Sequence, residues 1–162
     1  MPVVLVTHRE SDGSARGLAL TARTRMLMGD FEEEGAMAFA IRPLHWGGPV
    51  ESRLSMIHAY PEVKGSQSVA DTGLHFSQDL LGARSWLQEG EGSSLRFRFF
   101  LGQVAWKAGE LDAEIKRGTW LPVRCAREAV LDESLEERSG RPLWTELLEL
   151  AGDPTQILKN LP

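Results

Sequence analysis

The sequence predicts a single α+β domain, and three observations carry that prediction. Strand-like runs are joined by turn chemistry, which favours antiparallel pairing. Three or four short amphipathic segments follow the helical period. No internal repeat, low-complexity tract or shift of composition divides the 162 residues, a length that suits one domain (1–162) with a real core.

"VVLVTH" is β-branched and compact, a good strand. Asp12-Gly13 supplies a hairpin turn, and "LALTAR" returns, giving an antiparallel hairpin over about residues 2–22. "TRMLMGDFEEEGAMAF" reads either as a short helix carrying Met26, Leu27 and Met28 or as a flexible connection, with Glu32–Glu34 on a solvated face. "IRPLHW" is extended and breaks at Gly47-Gly48-Pro49, where two glycines open backbone geometries and Pro49 closes others. "RLSMIHAY" alternates as a strand, "PEVKGSQSVADTG" is a loop or short hairpin, and "LHFS" is a brief strand ending at Ser77, a possible helix cap.

Leu80, Leu81, Ala83, Trp86 and Leu87 form the stripe of a helix that Gly90 stops. In "LRFRFFLG" Phe97 and Phe99 share one strand face, Arg96 and Arg98 the other. "AGELDAEIKRG" is a helix with Leu111 and Ile115 inward; its acids come early and its bases late, as the helix dipole prefers. "WLPVRCA" is extended, and "LDESLEERSGRP" is an exposed acidic loop with a helical turn. "RPLWTELLELAG" is a helix burying Leu143, Trp144, Leu147, Leu148 and Ala151. Asp153-Pro154 then opens a short terminal helix.

Bulk composition excludes several classes. No apolar run reaches the roughly 18 residues of a membrane span. A net charge of −5 with scattered basic residues argues against a dedicated nucleic-acid surface. Cys125 is the only cysteine, so neither an intrachain disulfide nor a cysteine-rich metal site can form. The chain enters its first strand within two residues, as a processed or trimmed chain would, so a leader is undecided.

The chemistry-bearing residues form no complete catalytic set. "GQVAWKAG", from Gly102 to Gly109, meets neither the P-loop nor the dinucleotide pattern. Its plain reading is a turn whose Trp106 packs over the next helix; its functional reading is a ligand pocket. Gly47, Gly48 and Pro49 could admit a ligand to the backbone or could form a bulge that positions two strands. His8, His45, His58 and His75 show no metal spacing; they read as hydrogen-bonded surface or edge-strand residues, and no metal or cofactor is assigned. Cys125 sits between Arg124 and Arg127, which could lower its pKa, yet strand neighbours point apart and an inert half-buried thiol fits as well. Glu110 and Glu114 share a helix face, as paired carboxylates or as ordinary surface decoration.

Taken together, "FFLGQVAWKAGELDAEIKRGTW" resembles the signature of the AlgH/YqgE family at Gly102, Trp106, Gly109, Leu111, Glu114, Ile115 and Trp120. "WGGPV" resembles its Gly-Gly-Pro-Val, the early hairpin aligns at His8 and Gly17, and "LWTELLELAGD" resembles its final helix. Departures stand at Gln103, where the family has tyrosine, at Ala105, where it has glycine, and in "LTART", which lacks its Asn and Pro. The resemblance implies a strongly curved, largely antiparallel sheet with flanking helices, and the expectation of a usual segment before "VVLV" that this chain either lacks or has lost. The aromatic run "RFRFFLG" and Cys125 are similar to the plant and algal plastid branch.

The resemblance implies no secure activity. The expectation is a non-enzymatic binding or auxiliary protein with a protein partner, docking on a larger plastid assembly; the bacterial cytoplasm is the alternative location. Its rivals are a thiol-redox or small-molecule enzyme beside the glycine turns and a transcriptional regulator.

Overall fold

The computed structural model describes residues 1–151. Eight strands are β1 (Val4–Arg9), β2 (Ala15–Ala19), β3 (Arg23–Leu27), β4 (Pro43–Trp46), β5 (Val50–His58), β6 (Gln67–Val69), β7 (Leu74–Ser77) and β8 (Phe97–Trp106). Among the described residues five α-helices follow or interrupt them: α1 (Leu80–Gln88), α2 (Glu110–Lys116), α3 (Arg127–Leu131), α4 (Leu135–Ser139) and α5 (Leu143–Ala151). The sheet runs β1-β2-β8-β5-β7-β6, with β3 and β4 as a side branch. Every pair is antiparallel except β4 with β8. The α+β prediction and the curved antiparallel sheet both hold.

β8 organises the molecule because it is long enough to take three partners. β5 lines one edge from Phe97 to Gln103. The other edge is shared: β4 takes Phe99–Leu101 and β2 takes Val104–Trp106. The sheet curls until its outer strands face each other across a seam. There His8 Nε2 and Gln67 Oε1 lie 2.7 Å apart, and the His8 ring meets Phe76 edge-on at 4.8 Å.

Strand alternation distributes the core. Phe97 and Phe99 enter a cluster with Met28, Phe39, Leu44 and Trp86, covered by α1. Phe100 points the opposite way, into a cluster with Leu18, Ile57 and Phe76 that α3 and α5 close with Val130 and Leu147. Beyond Gly102 the strand leads to Ala15, Trp106 and Leu111, where α2 packs.

Several local expectations change. Residues 23–27 form strand β3 because Leu27 pairs with Pro43, and Met28 N–H donates to the Arg42 carbonyl at 2.9 Å. Two short 3-10 turns follow, Met28–Asp30 and Ala36–Phe39. The cap of α1 is Asp79, which accepts from Gly82 N–H at 2.8 Å; Ser77 instead accepts from Asp79 N–H. Leu81 leaves the expected stripe and is exposed. "WLPVRCA" joins no strand. "LDESLEERSGRP" is not simply an exposed loop: Glu133 packs nearly buried against the sheet. His45 and His58 are fully buried rather than surface or edge residues. The short terminal helix lies outside the described residues.

Candidate functional site

The residues singled out in the sequence divide among four separate places. At the first, Gly47, Gly48 and Gly102 bring two backbones into contact. A Cβ on Gly47 would lie 2.2 Å from the Gly102 carbonyl oxygen, and one on Gly48 would lie 2.3 Å from the Gln103 backbone. A Cβ on Gly102 would meet the Gly48 oxygen at 2.1 Å. Gly48 and Gly102 also hold positive φ, 150° and 77°, which L side chains rarely adopt. Gly47 N–H donates to Leu101 O while its own carbonyl accepts from Ala19 N–H, so it is the joint where β2 and β4 meet along β8. The bare backbone faces β8, and Pro49 emerges beside it at the surface. Gln103, next along β8, is buried.

The second place is the outer face at Trp106. Glu114 reaches back from α2, and its Oε2 accepts from both Trp106 Nε1 (2.9 Å) and Trp120 Nε1 (2.7 Å). The two indoles meet edge to face at 6.2 Å. One carboxylate thereby clamps a strand end, a helix and the chain leaving that helix. Glu110 does not join Glu114 as a pair; its carboxylate accepts from Lys107 N–H at 2.8 Å and closes the turn before α2. Gly109, with φ 73°, starts that helix and donates to Gly13 O at 3.1 Å, seating the β1–β2 hairpin tip on it.

The remaining candidates stand apart. His8 bonds Thr7 and Gln67 at the seam. Cys125 is half-buried against the α3–α5 cluster, and burial pushes its thiol pKa up, away from the reactive thiolate. The arginines beside it do not reverse that direction. Among the described residues no group of three His, Cys, Asp or Glu side chains could hold a metal ion.

The sequence reading missed the most unusual polar cluster. Arg98 and Arg42, both buried, project from β8 and from the entry to β4. Arg98 donates to the carbonyls of Val130 (2.7 Å) and Leu20. Arg42 pairs with Glu133 and donates to Phe97 O at 3.2 Å. His45 sits beside them with Nδ1 3.7 Å from Glu133 Oε1, too far for a hydrogen bond, and neither ring nitrogen has a partner among the described residues. Burial, then the Arg98 charge, lowers the His45 pKa to about 3. Burial raises that of Glu133 against the pull of Arg42. The available signal was the strand alternation that put Arg98 opposite Phe97 and Phe99. It showed which face the arginine takes, and not that α3 and α4 would cover that face.

A family model described as AlgH-like matches residues 2–156, and the chain belongs to that family. A UPF0301 protein of Parabacteroides distasonis is 28% identical over 163 residues, covering 99% of this chain and 78% of that relative. The solution structure of the AlgH protein from Pseudomonas aeruginosa matches with a TM-score of 0.67 at 18% identity, over 100% of this chain and 85% of that one. A crystal structure of a Corynebacterium diphtheriae protein matches at 0.61 and 20% identity, over 91% and 82%. These likenesses support the fold, and the relatives named here are bacterial. Among the described residues no helix is long and apolar enough to cross a membrane.

Proposed function

We propose that this AlgH-like protein works by binding another protein, as an auxiliary or regulatory factor without a reaction of its own. One observation carries the reading: the residues that looked available for chemistry are engaged in holding the fold. Gly47, Gly48 and Gly102 receive each other's backbones, Glu114 bridges two indoles, and Glu110 caps a turn. The enzyme alternative drew on Cys125, His8 and Glu110. His8 is bonded at the β1–β6 seam, Glu110 caps the turn before α2, and Cys125 packs by α3 and α5 with a raised thiol pKa. That arrangement favours binding over thiol chemistry. The bacterial relatives favour a bacterial cytoplasm over a plastid as the place of work.

The test is affinity capture of the full chain from a native extract, with and without crosslinking. A stoichiometric protein partner is expected. Return of no partner under crosslinking, together with turnover of a thiol or small-molecule substrate, would replace this reading by the enzymatic one.

A further inference from the structure

The excursion between β3 and β4 carries an arrangement that nothing in the fold requires. Met28, Ala36 and Phe39 anchor it into the core at 0–1% exposure. Its two arms are zipped by Met28 N–H to Arg42 O and Gly29 N–H to Ala40 O, both 2.9 Å. On this anchored frame the alternate residues point out: Leu27 is 43% exposed, Met37 73% and Ile41 77%. The frame touches α1, where Leu81 Cδ2 lies 3.4 Å from the position of a Cβ on Gly35. Leu81 in turn borders a groove of about 450 Å³ lined by Glu62, Trp86 and Glu89. Large apolar side chains gathered this way mark interaction surfaces more often than chance exposure does, and methionine suits a partner surface that must adapt.

The charge beside the patch says what kind of partner fits. Residues 24–41 hold four carboxylates, Asp30, Glu32, Glu33 and Glu34, against the single guanidinium of Arg25. The three glutamates are exposed, and among the described residues their carboxylates make no hydrogen bond or ion pair, so their charge is available to a partner. A second copy of this chain is disfavoured, because it would bring two glutamate triplets together. Nucleic acid and anionic lipid are repelled for the same reason.

We infer that the Leu27–Met37–Ile41–Leu81 surface, rimmed by Glu32–Glu34, docks a basic amphipathic helix of a partner protein, with apolar anchors on the patch and lysines or arginines against the glutamates. This deepens the binding function proposed above and rests on it.

The probe is a fluorescent amphipathic peptide of about 18 residues, five helical turns, with leucines on one face and lysines on the other. An acidic twin carries glutamates in place of the lysines. Anisotropy titrations use the full chain at about 50 mM and about 300 mM salt, between which screening tightens. The basic peptide is expected to bind saturably and to weaken several-fold at the higher salt, while the acidic twin stays unbound. Met37→Ser/Ile41→Ser is expected to weaken binding tenfold or more, and Glu32→Gln/Glu33→Gln/Glu34→Gln several-fold. The changed side chains are exposed, and an unchanged unfolding midpoint verifies that each variant is folded. No binding of the basic peptide, equal binding of its acidic twin, or undiminished binding by Met37→Ser/Ile41→Ser overturns the inference. Self-association that this variant abolishes also overturns it, in favour of a second copy. Affinity capture separates the two levels. A partner recovered equally by wild type and Met37→Ser/Ile41→Ser leaves the binding function standing and removes this surface, whereas a partner recovered by neither removes both.

Discussion

The two ends of β8 are each held by one carboxylate, in opposite ways. At the Trp106 end Glu114 is half-exposed and accepts hydrogen bonds from two neutral indole donors. At the Arg98 end Glu133 is nearly buried and faces two guanidiniums and a histidine, with its Oε1, Arg42 Nε, Arg98 Nε and both His45 nitrogens unpartnered among the described residues. The first arrangement keeps its charge near water and satisfies its donors. The second takes charge out of water, which the attraction of Arg42 must offset. Burial pushes the Glu133 pKa up, against the pull of Arg42 and then Arg98. The difference teaches where each arrangement is vulnerable: a buried pair is expected to add little net stability while loss of one member costs much.

The sharpest way to break this comparison is Glu133→Ala. It strands Arg42 without its partner and is expected to cost about 3–5 kcal/mol in denaturant unfolding. Replacing both members, Arg42→Met with Glu133→Leu, should recover most of that loss. If the double variant is as unstable as the single one, the pair itself stabilises the fold and the contrast with Glu114 fails.

Acid should act at the same end. His45 and His58 both lie by Phe97–Phe100 and are held neutral by burial, at about 3 and about 4. Arg98, Arg23 and Arg42 add to the depression at His45, and His75 adds to it at His58. Their folded values lie below the ordinary histidine value of 6.5, so their contribution is present above 6.5 and lost as pH falls towards 4 and 3. Glu133 runs in the opposite sense, present at low pH and weakening as pH rises through its raised value. Unfolding free energy should therefore fall between about pH 6.5 and pH 4.5, and His58→Gln should flatten the slope by about 1 kcal/mol per pH unit. An unchanged slope would show that His58 titrates alike in both states.

At the other end the effects are smaller. Glu114→Ala removes the acceptor of two half-buried indole donors, an expected loss of about 1–3 kcal/mol. Glu114→Gln keeps an acceptor oxygen and should lose clearly less. Equal losses would mean that the carboxylate charge, not the acceptor, holds the clamp. The smallest change is Arg9→Ala, which removes an exposed 2.5 Å pair with Asp112 on α2. It is expected to shift stability by less than about 1 kcal/mol, with no change at the Arg98 end.

Much of this was legible in the sequence because it is local. The Asp12-Gly13 turn, the period of α1 and α2, and the alternation of Phe97 and Phe99 are each set by neighbours within a few residues. β3 was not legible. Met26–Met28 are compatible with a short helix, and pairing of Leu27 with Pro43 draws residues 23–27 into an extended edge, leaving Met28 to open a 3-10 turn. The candidate places were visible as residues but not as contacts: Gly47 and Gly102 are far apart in the chain, and nothing local shows that their backbones meet.

The sequence by itself determined the α+β class and the segments that turn and alternate, because short-range sterics and periodicity decide those, while its motifs carried the family resemblance. Tertiary structure alone decided which polar residues are buried. Glu133 stands in an acidic stretch that reads as an exposed loop, and Arg98 on the strand face opposite Phe97 and Phe99, with nothing local to say what covers it. They become a buried network only because α3 and α4 fold back over β8, burying Val130 and Leu131 beside them. Apolar burial drives that placement, and the charges go where it carries them.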